Sequence, residues 1–256
     1  FNGGSMRLSD VVVDGARQAI NVNPDTQMEV QRVHVENAET GIWMRNLNVA
    51  NGSAPPDFFA RDLTINELSG TGIDLFPSEA CPDWPYPSAR FDVERVHISS
   101  VGGDGMRLFS TRPGTGRMAD VRVTNARRHG ILAAIDSAIP MERIEIDGAG
   151  QIGMWLEQQR FDIAGAQPEV LQVNLQDISV RNTQRGMTLS GLEFEARRVR
   201  IEDSAHSGLM IIGSEGLLED AIIRDVGNQP DVGFYNLNRE WCRITSRPGF
   251  RVDCTT

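Results

Sequence analysis

The chain contains no lysine: all 25 of its basic residues are arginine. Any mechanism that needs a lysine is excluded. Cationic contacts fall to the guanidinium, which is always charged and holds a carboxylate with two parallel hydrogen bonds. Positive charge is also outnumbered. The formal net charge of −10 sets general binding to nucleic acid or other polyanions against net repulsion, although a local arginine cluster could still hold one carboxylate. No run of about 18 apolar residues occurs, so no segment is expected to span a membrane. Cysteine is scarce, with three in 256 residues. Cys242 and Cys254 are spaced to form either a disulfide, in an oxidising compartment, or two buried free thiols, and Cys81 is left without a partner.

What the chain has instead is one unit restated from end to end. In Arg32 to Met44, Val33 and Val35 alternate with polar neighbours, a bend through Asn37 leads to Gly41, and Ile42 and Met44 flank Trp43. Alternation of this kind marks a strand with one face buried. Later copies of the second strand follow Gly72, Gly105, Gly130, Gly153, Gly186, Gly208, Gly233 and Gly249. A unit of 21 to 34 residues with two short strands cannot bury its apolar side chains alone, but stacked copies can. The repeat predicts an all-β parallel solenoid of about ten turns, roughly 43 Å long at about 4.8 Å per turn.

The residue ahead of each first strand gives independent support. In order these are Asp10, Arg32, Asp62, Arg95, Asp120, Arg143, Asp177, Arg198 and Asp220, alternating in sign. Stacking would place each arginine between two aspartates in an outward charge ladder. Exposed pairs add little stability, but a slip of one repeat would set like charges together, so the ladder is read as a register device.

Residues 7–252 are assigned to the solenoid, 1–6 to a linker or the scar of an internal cut, and 253–256 to a tail. The short ends suggest contact with flanking sequence, end to end. The outward position of the second strands carries Asn21, Trp43, Asp74, Arg107, Leu132, Trp155, Thr188, Met210, Tyr235 and Arg251. Solvent alone would not select that mixture of aromatic and charged groups. The long loops, 45–57, 77–90, 110–117 and 157–169, leave the same flank, and the second is stiffened by prolines around Trp84 and Tyr86. Loops grouped on one side of a regular scaffold usually wall a binding site.

The Val-x-Val or Ile-x-Ile strand, the bend at Asn37, Asn125 or Asn182, and the Gly-[Ile/Met]-x-[Leu/Met] strand together resemble the right-handed parallel β-helix of the pectin-lyase-like superfamily. That resemblance implies an extracellular or cell-surface protein. Members cleave or epimerise acidic polysaccharides, act as tailspikes and adhesins, or serve as spacers.

Asp74, Asp104 and His129, on consecutive turns, follow an order similar to polygalacturonase-type glycoside hydrolases. Only fragments of that family's motifs are present, in Gly103-Asp104-Gly105 and His129-Gly130, and its Arg-Ile-Lys cannot exist here. On this reading Asp74, Asp104 and His129 divide the acid and base work. Arg107 holds a substrate carboxylate or a developing negative charge, while Trp43, Trp155, Trp84 and Tyr86 bind sugar. The Asp-Pro-His-Glu signature of alginate epimerases is absent, and no cofactor or metal is expected. The expected function is a glycan-interacting β-helix, extending to hydrolysis. The alternative is a noncatalytic adhesion, protein-binding or structural module of a larger surface protein, in which Asp74 pairs with Arg107 and His129 caps a bend.

Overall fold

The computed structural model describes residues 4–22, 26–44, 57–75, 89–109, 111–135, 139–158, 172–227 and 234–236. These contain seventeen strands and no helix. Every pairing between them is parallel, each strand hydrogen-bonding to the equivalent strand of the turn before and the turn after. The architecture is a parallel β-helix, as the repeat predicted. Its first strand, Gly4–Asp14, is in register from Gly4 onward with Thr26–Glu36, so residues 4–6 belong to the first turn. The proposed pairing of Cys242 with Cys254, and Cys81, fall outside the described residues.

Each turn has three faces, separated by two bends. The first bend is the charge-ladder residue itself. All nine, from Asp10 to Asp220, have φ between 50° and 58°. The second bend follows five residues later in every case, at Gly15, Asn37, Glu67, Ser100, Asn125, Gly148, Asn182, Asp203 and Asp225. An extended chain that visits the left-handed region for one residue changes direction and throws that side chain outward. Glycine, asparagine and aspartate tolerate it best, and for other L residues it costs roughly 1–2 kcal/mol. An arginine has no such preference, so the stacked strands on either side must impose the bend. The ladder side chains therefore point outward because they sit at corners, which period-two alternation alone did not reveal.

The ladder also differs from expectation in its pairing. Arg32 grips Asp10 through Nε and Nη2 at 2.5 and 2.7 Å. Arg95 holds Asp62 at 2.5 and 3.0 Å, Arg143 holds Asp120 at 2.5 and 2.8 Å, and Arg198 holds Asp177 at 2.5 and 2.9 Å. The Nε–Nη2 edge of each guanidinium closes on one aspartate, and Nη1 of Arg95 and of Arg143 turns to the preceding residue, Glu94 and Glu142. The ladder is thus a series of closed couples, each arginine reaching back one turn.

Between the bends, the inward residues stack in unbroken columns. On the first face Leu8, Val30, Ala60, Val93, Met118, Met141, Leu175, Ala196 and Leu218 align. Phe58 and Phe91 add a stacked pair with centroids 6.0 Å apart. Burying each such Leu, Ile or Met contributes about 1.5–3 kcal/mol, far more than an exposed ion pair. Hydrocarbon holds the turns together, and charge selects their alignment.

The glycine that opens the third face has a steric cause. A Cβ on Gly130 would lie 2.5 Å from the Gly153 carbonyl oxygen and 2.5 Å from Ile146 Cγ2. Gly72 would meet Gly105 O at 2.5 Å and Ile98 Cγ2 at 2.8 Å. The chain closes so tightly on the last inward residue of the second face that only hydrogen fits.

Candidate functional site

The third face carries the outward column expected from sequence. Asn21, Trp43, Asp74, Arg107, Leu132, Trp155, Thr188 and Met210 are successive partners in the parallel ladder, and the Tyr235 backbone pairs next in register. Trp43, Arg107, Leu132, Trp155 and Met210 are partly buried, whereas Asp74 is 8% and Thr188 3% exposed. Trp84 and Tyr86, the other two aromatic candidates, lie outside the described residues.

Asp74 and Arg107 are one turn apart and closed on each other. Arg107 Nε donates to Asp74 Oδ1 at 2.9 Å and Nη2 to Oδ2 at 2.7 Å. Each carboxylate oxygen accepts one hydrogen bond from the same guanidinium, which fixes the Asp74 side chain against Arg107. The pair offers a ligand a dipole with little net charge.

Asp104 and His129 sit at the bend that leads into this face. Their carbonyls accept from Gly72 N at 3.0 Å and Gly105 N at 2.8 Å, which fixes them on consecutive turns. Asp104 is fully buried. Its Oδ1 accepts from His129 Nδ1 at 2.7 Å and from the His129 backbone N–H at 3.1 Å, and Arg128 Nε stands 3.9 Å away. Burial pushes the Asp104 carboxyl up. The hydrogen bonds from the His129 ring and backbone, with the nearby charges, outweigh it and leave the group below its ordinary value. Ionised Asp104 thereby assigns the His129 proton to Nδ1. The ring then meets Trp155 edge-on, at 5.9 Å between centroids and 65° between planes. Asp104, His129 and Trp155 form one connected chain, while Asp74 and Arg107 form a separate pair.

One acid escaped the sequence reading. Glu157 lies two residues beyond Trp155 on the strand Ile152–Gln158, in register with Ala134 and Ser190. Burial raises its pKa above the ordinary value. The signal was present: a strand that puts Trp155 outward puts Glu157 outward too, had the strand not been ended at Leu156. A raised acid beside an ionised one is the pattern of general acid–base work, but distance decides against it. The hydrogen bond from Gly130 N to Ile152 O sets Ile152 beside His129, and Glu157 is five residues further, about 16 Å of extended backbone. Two glycosidase carboxyls stand about 5–9.5 Å apart.

Three buried side-chain atoms in this region have no hydrogen-bond partner: Asp104 Oδ2, Trp155 Nε1 and Thr188 Oγ1. Trp155 and Thr188 are direct neighbours in the ladder. Among the described residues, no group of three His, Cys, Asp or Glu side chains could hold a metal ion, and no helix is long and apolar enough to cross a membrane.

Comparison with protein-family models, with curated proteins and with solved structures finds no significant match in any of the three.

Proposed function

We propose that this chain is a glycan-binding parallel β-helix, working outside the cell or at its surface, whose third face holds a polysaccharide without cleaving it. The observation that carries the reading is the outward column in which partly buried Trp43 and Trp155 stand at either end of the Asp74–Arg107 couple. A pyranose ring has apolar C–H faces and a hydroxyl-rich edge. Indole rings suit the first, and fixed polar groups between them suit the second. The two tryptophans are four turns apart, about 19 Å along the axis, a span suited to several units of a chain lying parallel to the solenoid.

Three features favour binding over hydrolysis. Asp74 is closed on Arg107, Asp104 is sealed in the interior, and Glu157 is too distant from the Asp104–His129 pair to share one glycosidic bond. Descent from the pectin-lyase-like superfamily belongs to the same proposal, supported by the parallel β-helix and by the side-chain columns of its turns.

A glycan array read together with a reducing-sugar assay tests the reading on the intact chain. Expected are retention of at least one polysaccharide, no release of reducing ends, and several-fold weaker retention by Trp43→Ala. Release of reducing ends that Asp74→Asn or Asp104→Asn abolishes would establish a hydrolase instead. Failure to retain any glycan would remove the proposal.

A further inference from the structure

We infer that the third face takes a neutral, hydroxyl-rich polysaccharide in preference to a uronate polymer, with one sugar unit seated at Trp155 and Thr188. The inference rests on the glycan-binding reading above and names the class of glycan.

Uronate recognition calls for a guanidinium with its fork directed at the ligand. Among the described residues of the outward column the cation is Arg107, and its Nε and Nη2 both serve Asp74. The next outward position along these strands holds Ala134, Glu157 and Ser190, an acid with no base. Arg128 and Arg185, exposed at the bend, precede Leu132 and Thr188 by three or four residues, about 10–13 Å of extended chain. A polyanion approaching this surface also meets a chain of formal charge −10.

Trp155 Nε1 and Thr188 Oγ1 are ladder neighbours, and both are buried without a partner. An unmet indole N–H and an unmet hydroxyl are complementary to hydroxyl groups, each of which can donate and accept. The indole donates to a sugar oxygen, and the threonine hydroxyl either donates or accepts. Glu157, on the same strand as Trp155, is kept protonated to a higher pH than an ordinary glutamate by its burial. An anionic sugar in so dry a place would carry a desolvation cost that nothing beside it offsets.

The test is affinity electrophoresis and calorimetry of the intact chain with two sets of soluble polymers, neutral ones (β-glucan, galactomannan) and uronates (polygalacturonate, alginate). Retention by a neutral polymer and not by the uronates supports the inference. Thr188→Val should weaken that retention about tenfold, the equivalent of one hydrogen bond. Its melting temperature should hold or rise, because the free protein loses no partner. Thr188→Ser, which restores the hydroxyl, should recover most of the binding. Uronates bound as tightly as neutral polymers would overturn the neutral preference and leave the glycan reading standing. Undiminished binding by Thr188→Val would remove the seat, and a chain that binds neither set loses both proposals.

Discussion

One oxygen of Asp104 accepts two hydrogen bonds from a single residue, the ring and the backbone of His129, across adjacent turns of the solenoid. The carboxylate is buried, so its contribution is to hold the next turn in place and fix the imidazole against Trp155. Asp104→Ala would strand two buried donors and should cost roughly 2–4 kcal/mol. Urea unfolding at pH 7 measures it. A loss under about 0.5 kcal/mol would show that the pair does not form.

The glycine that opens each third face makes a separate prediction. Gly130→Ala places a methyl group 2.5 Å from both Gly153 O and Ile146 Cγ2, and neither a carbonyl in a ladder nor a packed core side chain can withdraw far. Overpacking should cost about 1–3 kcal/mol or more. Pairing it with Ile146→Val, which trims the obstructing side chain, should recover part of the loss in thermal melts. If Gly130→Ala melts like the parent, the close approach is not real.

Acid should uncouple the ladder. Hydrogen bonds from Arg32, Arg95, Arg143 and Arg198 hold Asp10, Asp62, Asp120 and Asp177 below the ordinary aspartate value of 3.8. A carboxyl depressed in the folded state contributes stability that is fully present above its unfolded pKa and lost as pH falls through the folded one. The melting temperature should therefore drop below about pH 4. Replacing Asp62 and Asp120 together by Asn should flatten that drop, and an unchanged acid limb would separate the ladder from acid sensitivity.

Glu157 acts with the opposite sign. Its folded pKa is raised above 4.5 by burial, so the protein loses stability as pH climbs from the unfolded value through the folded one. Glu157→Gln should remove that decline and melt higher than the parent at pH 7. The comparison needs only melts at pH 4 and pH 7 for both proteins. A variant that melts lower at pH 7 would mean the ionised carboxylate is stabilising.

Much of this was legible in the sequence, for identifiable reasons. The inward Val-x-Val pairs and the outward column from Trp43 to Met210 followed from period-two alternation and a repeat that restates it, and both are in register as expected. The Asp74–Arg107 couple was readable as neighbours on successive turns. Backbone conformation was not. Nothing in Arg32 or Arg95 announces a left-handed residue, because the stacked strands impose it and side-chain preference does not. The pairing sense of the ladder was equally hidden, since alternating charges are symmetric on paper and become directional only when each arginine reaches back. Glu157 was missed because its strand continues two residues past the apolar pattern, and its perturbation comes from burial that no local sequence encodes.

The closed couples also govern how such a protein can lengthen or shorten. Because Asp10 clasps Arg32 and Asp62 clasps Arg95, the natural module spans two coils. Excising a matched couple leaves every remaining salt link intact, whereas removing a single coil leaves one widowed charge facing its own kind. Gene duplication or engineering that respects this parity should yield working lengths in steps of two.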